Sequence, residues 1–538
     1  MAITETRPPS APPTDEAEPD RFVGLTEHDQ PGVAGFLGTG DHRTLGLAYV
    51  VVSIVLGVVA FLDAALYTAD RAKTHPSFPQ HLFQVYTSSR LTLVFVVAVP
   101  LLVGLATCIV PLQVGANTVA FPRAAAMAFW GWLLGSGLLI AAFAIDGGPA
   151  GARAKAVDLS YVGLALLVVS LMVATVCIVT TVIALRPAGM WLDRVPMFSW
   201  SMVVAGSVWL LTFPALLANI VLVYVDHHYG RPSSFGISFN QWPQISWAFT
   251  QPQIYAVFIP VLGIANDVVA TFSGRRQAHR STIMAVVGAF GILCFGAYAQ
   301  PSYYPDVYGE ALFIAMSILV ILPVLGALGG WTMTLRGSKP LLGSPLLFVL
   351  GAALVALLAT AAGALVPVQQ LHLHDAAGWS RYAIPGPPYF DGHFLLVVSA
   401  TTLGALGGVL YWAPKLFGRL ANDGVAKLAA LVGVVGGLVA GIPLLVYGFG
   451  LKSSSIIDSA HFLNGTSALG SALVAAAVVL VLVALVMGRR DVGADAWGRG
   501  QTLEWTVASP APAGGFGPLD RVVSPEPALD RADAVEGS

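Results

Sequence analysis

The sequence predicts an all-α integral membrane protein. The 538-residue chain is 56% hydrophobic and only 10% charged, whereas soluble domains carry about 25% charged residues. Its mean hydropathy is +0.75. The apolar residues also come in long runs. A run of about 20 spans a bilayer as a helix. Roughly twelve such runs lie near 44–67, 88–112, 126–146, 158–185, 196–225, 246–271, 281–300, 308–334, 341–368, 388–412, 424–450 and 463–487.

Taken in order, residues 1–40 are Pro-rich and acidic (RPPSAPPTDEAEPD) and lack the apolar core of a signal peptide. They read as a disordered cytoplasmic N-terminal tail, so the first span is expected to insert as its own signal. Residues 41–488 form a twelve-helix membrane domain, and 489–538 a cytoplasmic C-terminal tail. With twelve spans both termini share one side. The loops on that side hold Arg123, Arg186, Arg194, Arg275, Arg276, Arg280, Arg336, Lys339, Lys415, Arg419, Arg489 and Arg490. The opposite loops hold fewer, among them Arg71, Lys73, Arg153, Arg231, Arg381 and Lys452. The positive-inside rule therefore puts both termini in the cytoplasm of a multi-pass protein of the cell (plasma) membrane. The lipid membrane is the first partner, and a net charge of −2 gives no sign of nucleic acid.

Cys108, Cys177 and Cys294 fall inside spans without metal-binding spacing and read as buried apolar thiols. Gly404 with Gly408, and Gly433, Gly437 and Gly441, recur every four residues, as close helix packing requires. One longer outer loop, 369–387, carries the cluster His372, His374 and Asp375; two imidazoles in HxH are too few for a metal site. His227 and His228 read as a pair at a helix end. Asp267, the acidic residue nearest the inner end of span six, is expected to be solvated near the interface.

The order of several motifs goes further. DHRTLGLAYVV opens span one, and VPLQVGANTVAFPR closes span two. LRPAGMWLDRVPMFSWS leads into span five, YWAPKLFGR follows span ten, and WGRGQTLEWTVASPAP lies in the tail. Together, from about Asp41 to the C-terminus, they resemble the haem-copper oxidase superfamily, and the chain looks like a cytochrome c oxidase subunit I-like protein. The resemblance implies a twelve-transmembrane-helix haem-copper oxidase subunit I-like bundle.

It also implies a set of metal ligands, and the sequence departs from them. Ser89 stands where the family has a span-two His on the low-spin haem, and a hydroxyl is a poor partner for haem iron beside imidazole. At 250–255 the sequence is TQPQIY where the family has His-Pro-Glu-Val-Tyr. Gln251 replaces a copper His, and Gln253 replaces the proton-delivering Glu with an amide that has no useful titratable proton. Tyr255 takes the place of the cross-linked Tyr. Tyr298 and Ala299 fall at the copper His pair of span seven. Ala327 stands at the Lys of one proton path and Thr118 at the Asp of the other. Lys452 is all that remains near the Arg pair that meets the haem propionates. In span ten the family's His-Phe-His is GHFLLVV. Matching the motif puts His393 on the high-spin haem. Counting back from Trp412 shifts it by one residue, and one residue turns a helical side chain by about 100°.

His393 is thus the candidate residual haem ligand, with no catalytic or metal residues assigned. The expected protein has no cofactor; haem on His393 is the alternative, and copper is not expected. The leading reading is a non-catalytic relative acting as a subunit or scaffold in a membrane complex of respiratory type, with other membrane subunits as partners. One alternative is a terminal oxidase subunit passing electrons from cytochrome c or quinol to oxygen. Another is a channel or carrier for a small neutral or apolar ligand.

Overall fold

Apolar stripes and uniformly apolar helices divide the spans into an outer and an inner set. The computed structural model describes residues 33–75, 77, 81–149, 151–230, 243–249, 253–295, 307–366, 387–450, 454–490, 492–512, 514–519 and 521–536. Among these, eleven helices are long and apolar enough to cross a membrane. They are span one (His42–Arg71), two (Leu82–Gln113), three (Pro122–Ala144), four (Ala154–Ala184), five (Met197–Tyr229), six (Gln253–Ser273), eight (Ile314–Leu335), nine (Ser344–Leu365), ten (Pro387–Tyr411), eleven (Asp423–Phe449) and twelve (Ala460–Val486). The expected span seven appears as a shorter apolar helix, Arg280–Leu293, and its expected continuation to 300 runs into residues outside those described. The N-terminal tail to residue 32 lies outside them as well.

Chain contacts divide the protein at Gly40/Asp41. The first unit contains the short helix Val33–Gly38. In the second, Asp41 opens span one as an N-cap, its carboxylate accepting from the Arg43 and Thr44 N–H groups and the Thr44 hydroxyl. That satisfies donors which a helix start otherwise leaves unpaired. Span one then exposes Val51, Val55, Val59, Leu62 and Leu66, a stripe at helical spacing suited to lipid. Spans two, six and ten differ: each is wholly buried along its most apolar window. They are the inner helices, and they occur at every fourth position in the chain. Sequential spans pack side by side, and span twelve returns to pack on span one, so the bundle closes.

Close approaches between helices explain several glycines. A Cβ at Gly46 of span one would lie 2.5 Å from Cys108 Sγ, and one at Gly104 of span two 2.6 Å from Tyr49 Cβ. The predicted glycine faces pack in the same way: Gly433 and Gly441 meet Leu403 and Leu396 of span ten, while Gly404 meets Val261 of span six. All three cysteines are buried and unpaired. Span two contains a π-helical stretch, Thr92–Ala98, between two α-helical parts. After span twelve the chain pairs Arg489–Arg490 antiparallel with Arg419–Leu420. Residues 497–512, 514–519 and 521–530 then fold over one end of the helices, burying Leu503, Glu504, Trp505, Ala511 and Val522.

Candidate functional site

Three places in the inner helices carry polar chemistry. The first lies between spans two and ten. Ser89, the span-two position assigned to haem by the resemblance, donates its hydroxyl to its own helix at Tyr86 O, 2.9 Å away. One residue on, Arg90 is buried and ion-paired with the buried Asp391 of span ten. Arg71 of span one joins the same carboxylate at 3.2 Å. The Arg90 guanidinium also sits between two rings, 4.5 Å from the centre of Tyr86 and 4.3 Å from that of Phe394. Buried charges in a membrane persist where they pair, and here one carboxylate serves two cations while aromatic faces cover the inner one. Ala64, Tyr67, Ser89, Arg90, Phe394 and Leu395 line what space remains, about 20 Å³. That is room for a single water, far below the roughly 300–1,000 Å³ of an ordinary ligand site.

The second place surrounds His393. Its Nε2 lies 2.7 Å from the Tyr255 hydroxyl, which also reaches Ala359 O at 3.2 Å. Gly363 permits this contact, because a Cβ there would fall 2.0 Å from the Tyr255 oxygen and 3.0 Å from His393 Nε2. His393 therefore turns toward spans six and nine, while Phe394 turns toward span two. Phe394 and Leu395 are the two residues that the alternative registers of span ten would put opposite Ser89, and both line the Arg90 pocket. Neither has an atom that can ligate iron. Gln253 is buried, its Oε1 without a hydrogen-bond partner among the described residues, beside a space of about 20 Å³ walled by Phe95, Trp209, Phe213 and Trp247. Gln251, Tyr298, Ala299, Lys452, His372, His374 and Asp375 lie outside the described residues. Among the described residues no three His, Cys, Asp or Glu side chains gather as a metal site requires. His227 and His228 share one carboxylate, that of Asp158, at 2.7 and 2.8 Å.

The third place corrects an expectation. Asp267 is buried, not solvated. It accepts from the N–H groups of Met197 and Phe198, at 3.1 and 3.2 Å, at the N-terminus of span five. Its third donor is Gln113 Nε2 at 2.9 Å. A helix N-terminus offers such free donors to a carboxylate. The same Gln113 nitrogen reaches Glu504 Oε1 at 3.2 Å, as does Trp412 Nε1. Gln113 Oε1 in turn accepts from the Ser199 N–H and hydroxyl. Burial pushes the Glu504 carboxyl above its ordinary range, against the hydrogen bonds from Thr502, Gln113 and Trp412 that pull it down. Nearby, Tyr411 joins Thr271 and Trp505 through its hydroxyl. Lys415 donates to the carbonyls of Ala494 and Val507, and burial pulls its ammonium down to about 8. The motif segments of spans two, five and ten and of the tail all meet here.

Comparison with known proteins agrees with this architecture. The family described as "Cytochrome C and Quinol oxidase polypeptide I" matches residues 44–482. The chain belongs to this family. It is similar to the cytochrome c oxidase subunit 1 of Bacillus subtilis, at 27% identity over 91% of this chain and 82% of that protein. It is also similar to the cytochrome bo(3) ubiquinol oxidase subunit 1 of Buchnera aphidicola subsp. Schizaphis graminum, at 26% identity over 89% of this chain and 76% of that one. A solved haem-copper terminal oxidase dimer shares the fold, with a TM-score of 0.65 and 16% identity, covering 92% of this chain and 89% of its own. Family members of this kind are haem-binding, so the fit of haem to these residues is a fair test. The described residues fail it at the low-spin position: the Ser89 hydroxyl points into its own helix, Phe394 and Leu395 offer no donor, and Arg90 fills the gap. Sequence reasoning missed Arg90 and Asp391. The signal was available, since an Arg and an Asp inside membrane runs are functional suspects by default.

Proposed function

We propose that this chain is a subunit I-type membrane protein that has given up haem and copper and serves as a non-catalytic subunit or scaffold in a membrane complex of respiratory type. The observation that carries the reading is the Arg90–Asp391 pair, with Phe394 stacked on it, filling the space between the two positions that would hold the low-spin haem. A side chain that only lost a ligand would leave room behind it. Here an ion pair and two aromatic faces occupy that room, which supports the reading. His393 is engaged by Tyr255 and acts as a buried hydrogen-bonding residue of span ten. No electron-transfer or oxygen step is assigned to these residues, and both termini lie in the cytoplasm.

The test is a reduced-minus-oxidised spectrum of the purified full-length protein, with iron and copper assayed on the same sample. The expected result is a flat haem region and metal far below one atom per chain. Stoichiometric haem that disappears in His393→Ala would overturn the reading in favour of a retained haem site, and copper alongside it would restore the terminal oxidase. Extraction in mild detergent, followed by identification of co-purifying membrane subunits, tests the role in a complex; a chain that purifies alone contradicts it.

A further inference from the structure

The end of the bundle that carries the arginine excess holds a second feature, independent of the haem positions. Span six ends at Ser273, span eight at Leu335, and span nine begins at Ser344. Between these ends Arg275, Lys339 and Arg499 line one open pocket of about 440 Å³. They come from three separate segments: the loop after span six, the loop after span eight, and the tail. Three left-handed glycines turn those segments, Gly274 (φ +65), Gly337 (φ +69) and Gly498 (φ +65). Arg275 ties two of the segments by donating to the carbonyls of Arg336 and Gly337, at 3.0 and 2.6 Å. Arg499 ties the third by donating to Lys339 O at 3.3 Å.

Carbonyl oxygens orient these cations but do not neutralise them. The adjacent Arg276 shows the contrast, since it is paired with Glu526 at 3.0 Å and Asp530 at 2.7 Å. Among the described residues no carboxylate lines the pocket or pairs with Arg275, Lys339 or Arg499. Three unpaired cations held together by backbone ties repel one another, and an anion placed among them relieves that repulsion. Guanidinium forks and an ammonium are the donors that phosphate oxygens prefer. The volume is that of a small-ligand site, and it lies at the ends of three membrane-spanning helices, where basic pockets hold anionic lipid.

We propose that Arg275, Lys339 and Arg499 form a binding site for a phosphate-bearing anion. Its source is either a lipid headgroup or a soluble phosphate, and two arms of one experiment separate them. The full-length protein in detergent is titrated with cardiolipin, with phosphatidylcholine as the neutral comparison, and bound lipid is counted by native mass spectrometry. Inorganic pyrophosphate is titrated separately and followed by the thermal unfolding midpoint. Arg275 supports two backbone segments and stays in place. The test variant is Lys339→Gln/Arg499→Gln, and Arg489→Gln/Arg490→Gln removes equal charge outside the pocket. At about 1 kcal/mol per cation, the test variant binds cardiolipin about thirtyfold more weakly and each single change about fivefold, while the control pair keeps its affinity. Cardiolipin binding without a pyrophosphate effect assigns a lipid headgroup; a pyrophosphate stabilisation lost in the test variant assigns a soluble phosphate. Equal behaviour of test and control pairs with both probes overturns the site. The single variants keep the question open to refutation should the double variant fail to fold.

Discussion

The two ends of the inner helices are joined differently. At the end covered by the tail, Gln113, Asp267, Trp412 and Glu504 form a knot in which nearly every polar group has a neighbour from another segment. Toward the other end, spans two and ten meet through Arg90, Asp391 and Phe394, in the place where the family resemblance puts a haem. The motif segments that carry the family resemblance supply the knot, and an Arg–Asp pair between spans two and ten supplies the other join. On the proposed reading, the residues that hold the tail on the helices are retained while those that hold a metal in the family are exchanged.

The largest expected effect comes from breaking the ion pair. Asp391→Asn leaves Arg90 without its buried counter-charge and is expected to cost about 3–5 kcal/mol of stability, measured as a fall in the unfolding midpoint in detergent. Arg90→Met/Asp391→Leu removes the buried cation with its carboxylate, leaves only the half-buried Arg71 without its partner, and is expected to recover part of that loss. If the double variant is as unstable as the single one, the pair is not the element that joins spans two and ten.

Glu504→Ala comes next. It strips an acceptor from Gln113 and Trp412 and is expected to cost about 1–3 kcal/mol, visible as earlier proteolysis of the tail. Glu504→Gln keeps the acceptor and is expected to cost less. Smaller again is Tyr255→Phe, which removes the hydrogen bond to His393 for a loss of about 0.5–1.5 kcal/mol.

The finest test is pH. The folded protein holds the Glu504 proton more tightly than the unfolded chain, because burial raises the carboxyl above its ordinary 4.5. Its contribution is full below that value and is lost as pH rises toward the folded value. Unfolding midpoints measured upward from pH 4.5 should thus fall less in Glu504→Gln than in the natural protein. Parallel curves would mean that Glu504 is ionised in the knot.

Much of the architecture was legible in the sequence because lipid imposes a length and an apolar composition on every span. The helix ends were less so: span six opens with a 3₁₀ stretch at Gln253–Val257 before its α-helix starts with Pro260 in the first turn, which hydropathy alone does not reveal. Asp267 was misread because distance from a helix end says nothing of what covers it. The tail that buries it lies more than two hundred residues downstream. Arg90 and Asp391 each stand out as a charge inside an apolar run, but their pairing does not, since they lie 301 residues apart in the chain. The Ser89 substitution could be read directly. What surrounds Ser89 had to be seen in three dimensions.

The tail also has a consequence for biosynthesis. Residues 497–505 leave the ribosome only after all the spans, so Gln113, Tyr411 and Trp412 wait for their partners until the membrane part is otherwise made. A chain stopped after span twelve would insert its helices yet present an open, half-bonded end to the proteases on that side. Closure of this end of the bundle thus comes after synthesis of all the helices that it joins.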